Sequence, residues 1–279
     1  RISVRIRAKP DGAIVKRLLA EQGLSVTAIN SYRSWPWKYF YVNLLRVPQS
    51  TDKYREYGTA MHKALKEYFD LLKEGEDIGS EGLSARFLRY VAQAPLSLRE
   101  VEELKAKGEK ALISFYTTRN EAWKGKRLVA EFKITTQLPL AHVDCSHLRL
   151  RGDLDLVEFT DTGEVVVYDF KTGKRKSKNE IYGTDDDWGD YRRQIVFYKL
   201  LLDLFDEGKH KMKEGVIEFV EPDEKGRHES VRIDVSDADA SKLRSEIERV
   251  SNEILNLSFA DQVCEGKDCP WCSMRLAIS

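Results

Sequence analysis

The sequence predicts an α/β fold, and two kinds of observation predict it. One is a hairpin of apolar strands in the middle of the chain; the other is a set of amphipathic helical stretches before and after it. The hairpin runs from about Leu148 to Lys171, with Asp161-Thr162-Gly163 as its turn signal. Side chains alternate across a strand, so Leu148, Leu150, Leu154 and Leu156 share one face, and Arg149, Arg151, Asp153 and Asp155 share the other. On the second arm Val165, Val167, Asp169 and Lys171 lie together, opposite Val166, Tyr168 and Phe170. A carboxylate and an amine two residues apart, ending an otherwise apolar strand, are costly if buried without partners. Two carboxylates from adjacent strands, with a lysine, suit a hard divalent cation and a polarised water.

Composition narrows the class. The chain has 279 residues, 42% hydrophobic and 33% charged, enough for one large domain or two small ones with a sizeable core. No apolar run approaches the roughly 20 residues that span a membrane, and no secretory signal opens the chain. Lys+Arg and Asp+Glu balance at 46 each, so a globally basic nucleic-acid binder is excluded and any such surface must be local. The chain opens on Arg1 rather than Met and reads as a domain of a longer polypeptide or a trimmed one. Three of its four cysteines crowd into Cys264–Cys272, too few and too clustered for a secreted disulfide scaffold. A cytoplasmic setting is expected.

In chain order, Ile2, Val4 and Ile6 alternate, and a helix is expected around Ala13–Gln22 with Gly23 as its C-cap. Residues 1–26 are read as an extension or linker, and 27–279 as a single domain. Thr27 is a plausible N-cap for a helix whose apolar face is Ile29, Tyr32, Tyr39 and Phe40. A second helix should open after Gly58, with Ala60, Ala64, Leu65, Tyr68, Phe69 and Leu72 as its stripe and His62 on a flank. Residues 81–124 read as an inserted helical layer, clearest over Leu96–Tyr116. Arg127–Pro139 reads as a strand carrying Glu131, which is either a solvated edge residue or part of a site. After the hairpin, Lys171–Lys178 holds five basic residues, among them Lys174, Arg175, Lys176 and Lys178. They form a solvated loop or contact phosphates. Trp188–Phe205 is helical, with Gln194 and Tyr198 one turn apart on one face. Two strands near 214–221 and 229–235 and a helix capped by Ser236 or Asp237 close the pattern.

The Gly152–Asp155 strand, the Asp169–Phe170–Lys171 strand and the Gln194/Tyr198 helix resemble the PD-(D/E)XK nuclease superfamily. Within it they are most similar to the RecB-like and AddB-like nuclease domains found on UvrD-type helicases. Gly58-Thr59-x-x-His62 and the Leu24–Phe40 segment appear in the order that the resemblance requires. It covers about Leu24 to Cys272 and implies a restriction-endonuclease-like mixed sheet flanked by helices. It implies Mg²⁺ or Mn²⁺ held by His62, Asp155, Asp169 and the carbonyl of Phe170, with Lys171 orienting water and Gln194 and Tyr198 bracing the site. The activity implied is phosphodiester hydrolysis of DNA, single-stranded or at duplex ends, by an exonuclease-like enzyme of recombination or repair with a helicase motor as partner. The rival reading is a catalytically inactive DNA-binding module serving such a helicase.

Cys264, Cys269 and Cys272 form a compact thiol group of a kind that usually means metal. The resemblance implies a four-iron iron–sulfur cluster holding one early cysteine and three late ones, but Trp35 stands at the early position. No cluster, an iron–sulfur cluster with an unusual ligand, and zinc all stay open, with Cys145 the only other thiol. Without a cluster, Trp35 and Trp271 are expected to pack the C-terminal segment in place.

Overall fold

The computed structural model describes residues 9–142, 145–264 and 269–277; the alternation at Ile2, Val4 and Ile6 lies outside them. Helix α1 (Gly12–Gln22) starts where the Asp11 carboxylate accepts the N–H groups of Ala13 and Ile14. It stops at Gly23, whose φ of 67° lets its N–H reach the carbonyl of Leu19. Helix α2 (Val26–Ser34) is capped by Ser25, whose hydroxyl accepts from Ala28 N–H. The cap is therefore not Thr27, which lies inside the first turn. Pro36 has no N–H to donate, so α2 ends before it and Trp35 is extended. A short helix α3 (Pro36–Lys38) and a π-helical turn (Tyr39–Leu44) follow. Helix α4 (Lys53–Lys73) begins ahead of Gly58 because Asp52 caps it through Tyr54 N–H. Helices α5 (Gly79–Ala92) and α6 (Leu98–Arg119) occupy the inserted stretch, and α6 opens on a reciprocal Ser97/Glu100 capping box.

The strands are β1 (Arg127–His142), β2 (Cys145–Phe159), β3 (Glu164–Lys171), β4 (Lys211–Phe219) and β5 (Ser230–Ile233). Helices α7 (Lys178–Tyr182) and α8 (Asp190–Leu204) lie between β3 and β4, and α9 (Asp237–Leu255) and α10 (Pro270–Ala277) follow β5. Of the two cap candidates for α9, Ser236 is the cap: its hydroxyl accepts from Asp239 N–H while the Asp239 carboxylate accepts from Ser236. The sheet order is β1-β2-β3-β4-β5. Pairs β2–β3 and β4–β5 are antiparallel and β3–β4 is parallel, so the sheet is mixed, and the α/β class is the observed one.

The chain divides into two compact units, and β1 and β2 each contribute to both. The first comprises residues 1–49, 135–152 and 241–279. Its core is aromatic: Trp37 meets Phe40 and Phe259 edge-on at centroid distances of 5.4 and 5.3 Å. Leu24 bridges to β2, accepting from Arg151 N–H and donating to the Arg149 carbonyl. The indole N–H of Trp37 donates to the carbonyl of Gln262 at 3.2 Å. That bond adds a residue to the expectation for the C-terminal segment. The fully buried tryptophan tying it down is Trp37, while half-buried Trp35, turned out of the helix before Pro36, lines a cavity with the same Gln262.

The second unit comprises residues 50–134 and 153–240. Helices α4, α5 and α6 cover one sheet face through Leu156, Val166, Tyr168, Phe170 and Val216. Phe170 stacks on Phe69 at 5.6 Å and meets Phe115 edge-on at 6.1 Å. Burying a side chain of this size contributes about 1.5–3 kcal/mol. It also fixes a direction: with Phe170 in the helical core, strand alternation turns Asp169 and Lys171 to the opposite side. Helix α8 packs on β4 so closely that a Cβ at Gly215 would overlap the side chain of Ile195.

Candidate active site

Six side chains of the second unit converge where the β2–β3 ladder ends. The last paired positions are Leu156 and Tyr168. The next step of that register would set Asp155 against Asp169. Here the Asp155 carboxylate enters instead, its Oδ2 accepting the N–H of Phe170 at 2.8 Å. Its Oδ1 stands 3.2 Å from His62 Nδ1, on α4. Burial works against an imidazolium at His62, but the hydrogen bond and charge of Asp155 outweigh it and hold the ring above its ordinary pKa.

Asp169 is 1% exposed and is the hub. Its Oδ1 accepts from Gln194 Nε2 at 2.7 Å and from the Tyr198 hydroxyl at 2.9 Å. Gln194 Nε2 also donates to the Tyr198 oxygen at 2.7 Å, and Gln194 Oε1 accepts from Lys171 Nζ at 2.8 Å. An ammonium can only donate, so the lysine fixes which way the amide faces, and every polar hydrogen of the amide is used. Burial lifts the Asp169 carboxyl above the ordinary range, opposed by Lys171, while burial and the Asp169 charge push Tyr198 far up. Lys171 is held above its ordinary value because Asp169 outweighs the cost of its burial.

Fit to a divalent cation can be judged from the donors themselves. Asp169 Oδ2 is buried and accepts no well-aligned hydrogen bond, although Lys171 Nζ stands 2.6 Å away. The ammonium compensates the charge of that oxygen, and a carboxylate oxygen has a further lone pair with which to coordinate a cation. Two carboxylates supply the hard oxygen donors that Mg²⁺ or Mn²⁺ prefers, and the imidazole adds a borderline nitrogen donor. The set fits.

The remaining candidates fall elsewhere. Glu131 has a left-handed φ of 45° inside β1, and its charge acts on Lys66, one helical turn beyond His62. Among the described residues no hydrogen bond joins Glu131 to the six. Lys174 pairs with Glu224 at 3.3 Å and Arg175 with Glu229 at 2.7 Å, while exposed Lys178 opens α7. Lys176 lies over the ring of Tyr191 at 4.7 Å, and Lys171 lies over the same ring at 5.0 Å. Tyr191 was missed by the sequence reading, although Tyr191, Gln194 and Tyr198 share a helix face by their spacing. It connects the basic loop to the site lysine. Cys264, Cys269 and Cys272 come together in the other unit, whereas Cys145 donates to the carbonyl of His147 at 3.1 Å and is not in that group.

A sequence profile of the PD-(D/E)XK nuclease superfamily matches residues 23–276. The chain belongs to the PD-(D/E)XK nuclease superfamily. Membership implies a nuclease acting on DNA, and within this superfamily metal dependence is typical. No curated protein matches the chain by sequence. Among solved structures, a candidate exonuclease from Eubacterium rectale superposes with a TM-score of 0.56 at 13% identity. The match covers 91% of this chain and 88% of that one, and it supports the superfamily fold. A structure named SSO0001 covers 88% of this chain and 84% of its own at 12% identity, with a TM-score of 0.38. Among the described residues no helix is long and apolar enough to cross a membrane.

Proposed function

We propose that this PD-(D/E)XK chain is a divalent-metal-dependent deoxyribonuclease with single-strand exonuclease-like action in recombination or repair, working beside a helicase motor. The observation that carries this reading is the convergence of Lys171, Gln194 and Tyr198 on a buried Asp169, with Asp155 and His62 across the opened ladder. Asp155, Asp169 and His62, with the carbonyl of Phe170, would hold Mg²⁺ or Mn²⁺. Such an ion would supply charge neutralisation at the phosphate and a lowered pKa for water. Lys171 orients the attacking water and offsets charge that develops on the phosphate. Gln194 and Tyr198 keep the Asp169 carboxylate in one rotamer. The exonuclease-like part of the reading is supported by the fold match to the Eubacterium rectale protein and by the RecB-like motif set. The helicase partner rests on that motif set alone.

The test is degradation of labelled single-stranded, duplex and nicked-plasmid DNA, with Mg²⁺, with Mn²⁺ and with chelator. Asp169→Asn keeps an oxygen for the Gln194 and Tyr198 hydrogen bonds but removes the charge, so cleavage should vanish while the fold persists. Wild-type protein that binds DNA but cleaves none with either metal would make it an inactive binding module. Cleavage retained at full rate in Asp169→Asn would remove Asp169 from the chemistry.

A further inference from the structure

The sulfur atoms of Cys264, Cys269 and Cys272 all lie within 4.8 Å of one another, and Cys264 Sγ is 3.1 Å from Cys272 Sγ. Among the described residues it is the one group of three His, Cys, Asp or Glu side chains gathered this tightly. The local sequence builds it. Cys269 immediately precedes α10, and Ser273 N–H and hydroxyl both donate to the Cys269 carbonyl, closing the first turn. That turn sets Cys272 above Cys269, because residues three apart share a helix face. Cys264 follows the point where Trp37 holds the Gln262 carbonyl.

An iron–sulfur cluster of the four-iron type does not fit this arrangement. There each cysteine holds a different iron, so the thiolates diverge from the cluster's corners instead of converging on one point. A cluster would also want a fourth ligand, as a single ion would, and the early position holds Trp35, an indole with no metal-binding lone pair. Its Nε1 is buried without a hydrogen-bond partner. The segment just after it, α3, packs against α10.

A single tetrahedral ion fits far better. Thiolates about 2.3 Å from one Zn²⁺ stand roughly 3.8 Å apart along each tetrahedral edge. The triad is within a modest adjustment of that spacing. Three thiolates also select a soft or borderline cation over the hard ions of the carboxylate site.

We propose that Cys264, Cys269 and Cys272 bind one Zn²⁺, with the fourth vertex filled by a group outside the triad. Each thiol gives up its proton on binding, and the ion fastens α10 to the segment after Phe259. The site belongs to the other compact unit and is independent of the nuclease reading.

The experiment is metal analysis of anaerobically purified wild-type protein, together with a Co²⁺ titration of chelator-stripped protein followed in the visible. About one zinc per chain is expected, with the strong ligand-field bands of a tetrahedral cobalt–thiolate site saturating near one equivalent. Asp169→Asn should keep the zinc, and Cys269→Ser should lose it and lose the cobalt bands. Should Cys269→Ser fail to fold, the wild-type stoichiometry and cobalt spectrum decide alone. Close to four irons per chain with broad visible absorption would overturn the proposal. So would metal-free protein that gives no cobalt bands, including protein found with a Cys264–Cys272 disulfide.

Discussion

Tyr198→Phe removes one oxygen from the hub and leaves the ring where it is. Tyr198 is 3% exposed, and its hydroxyl donates to Asp169 Oδ1 at 2.9 Å while accepting from Gln194 Nε2 at 2.7 Å. A hydrogen bond to a charged group is worth about 1.5–3 kcal/mol. The substitution also leaves one Gln194 hydrogen without an acceptor, so metal-free stability should fall by about 2 kcal/mol. Partners that orient a metal ligand typically change metal affinity by about 10–100-fold. Half-saturating Mg²⁺ should therefore rise by roughly that factor, while the rate at saturating Mg²⁺ changes much less. Denaturant unfolding in chelator gives the first quantity, and cleavage across a Mg²⁺ titration gives the second. An unchanged Mg²⁺ requirement would refute the argument, whatever happened to stability, because a merely packed tyrosine would move stability alone.

Three further outcomes follow from other parts of the second unit. Gly108→Ala puts a Cβ into the Phe87 ring, where α5 and α6 touch, and should cost about 1–3 kcal/mol by denaturant unfolding; an unchanged midpoint would mean that the helices can separate freely. Neutralising Lys174, Arg175, Lys176 and Lys178 together should flatten the log–log salt dependence of DNA binding by roughly 0.7–0.9 per lost phosphate contact, and an unchanged slope would make the segment a solvated loop. Asp223 is held at about 2, first by the backbone N–H of Arg227 and then by its guanidinium. A carboxyl depressed in the fold stabilises above its ordinary pKa of about 4. That contribution is lost as pH falls through about 2. Carboxyl chemical shifts across that window report it, and an ordinary midpoint would mean that the turn does not hold the carboxylate.

The sheet and the site were legible for different reasons. The hairpin could be read because its first arm alternates and its second is a short Val run, interrupted at its far end by Asp169 and Lys171. Cap positions were less legible. Thr27 and Ser25 are chemically equivalent candidates, and the choice turns on which hydroxyl meets an N–H three residues on, a matter of backbone path. Gly58 looked like a helix start because glycine is a poor interior residue, but the Asp52 cap and the long apolar stripe outweigh its propensity cost of about 1 kcal/mol. Tyr191 escaped notice because its role depends on two cations from another segment arriving over its ring. The left-handed backbone at Glu131 leaves no mark in residue type at all, since glycine or asparagine would be the ordinary choice there. The cysteines were countable from sequence, but the nuclearity they suit depends on sulfur spacing.

What joins these observations is the place where the β2–β3 ladder stops. A continuous antiparallel pair would hold Asp155 and Asp169 side by side on one face, and two facing carboxylates repel. The fold opens the pair there, and each side receives its own counter-group. Asp155 takes a backbone N–H and an imidazole, while Asp169 takes a lysine, an amide and a phenol. Strand β3 remains ordered through Lys171 because its other edge stays paired with β4 as far as Phe219. The parallel β3–β4 pairing requires a long crossover, and that crossover contains α8, which supplies Gln194 and Tyr198. The same topology thus separates the carboxylates, holds the strand that carries one of them, and delivers the helix that orients it.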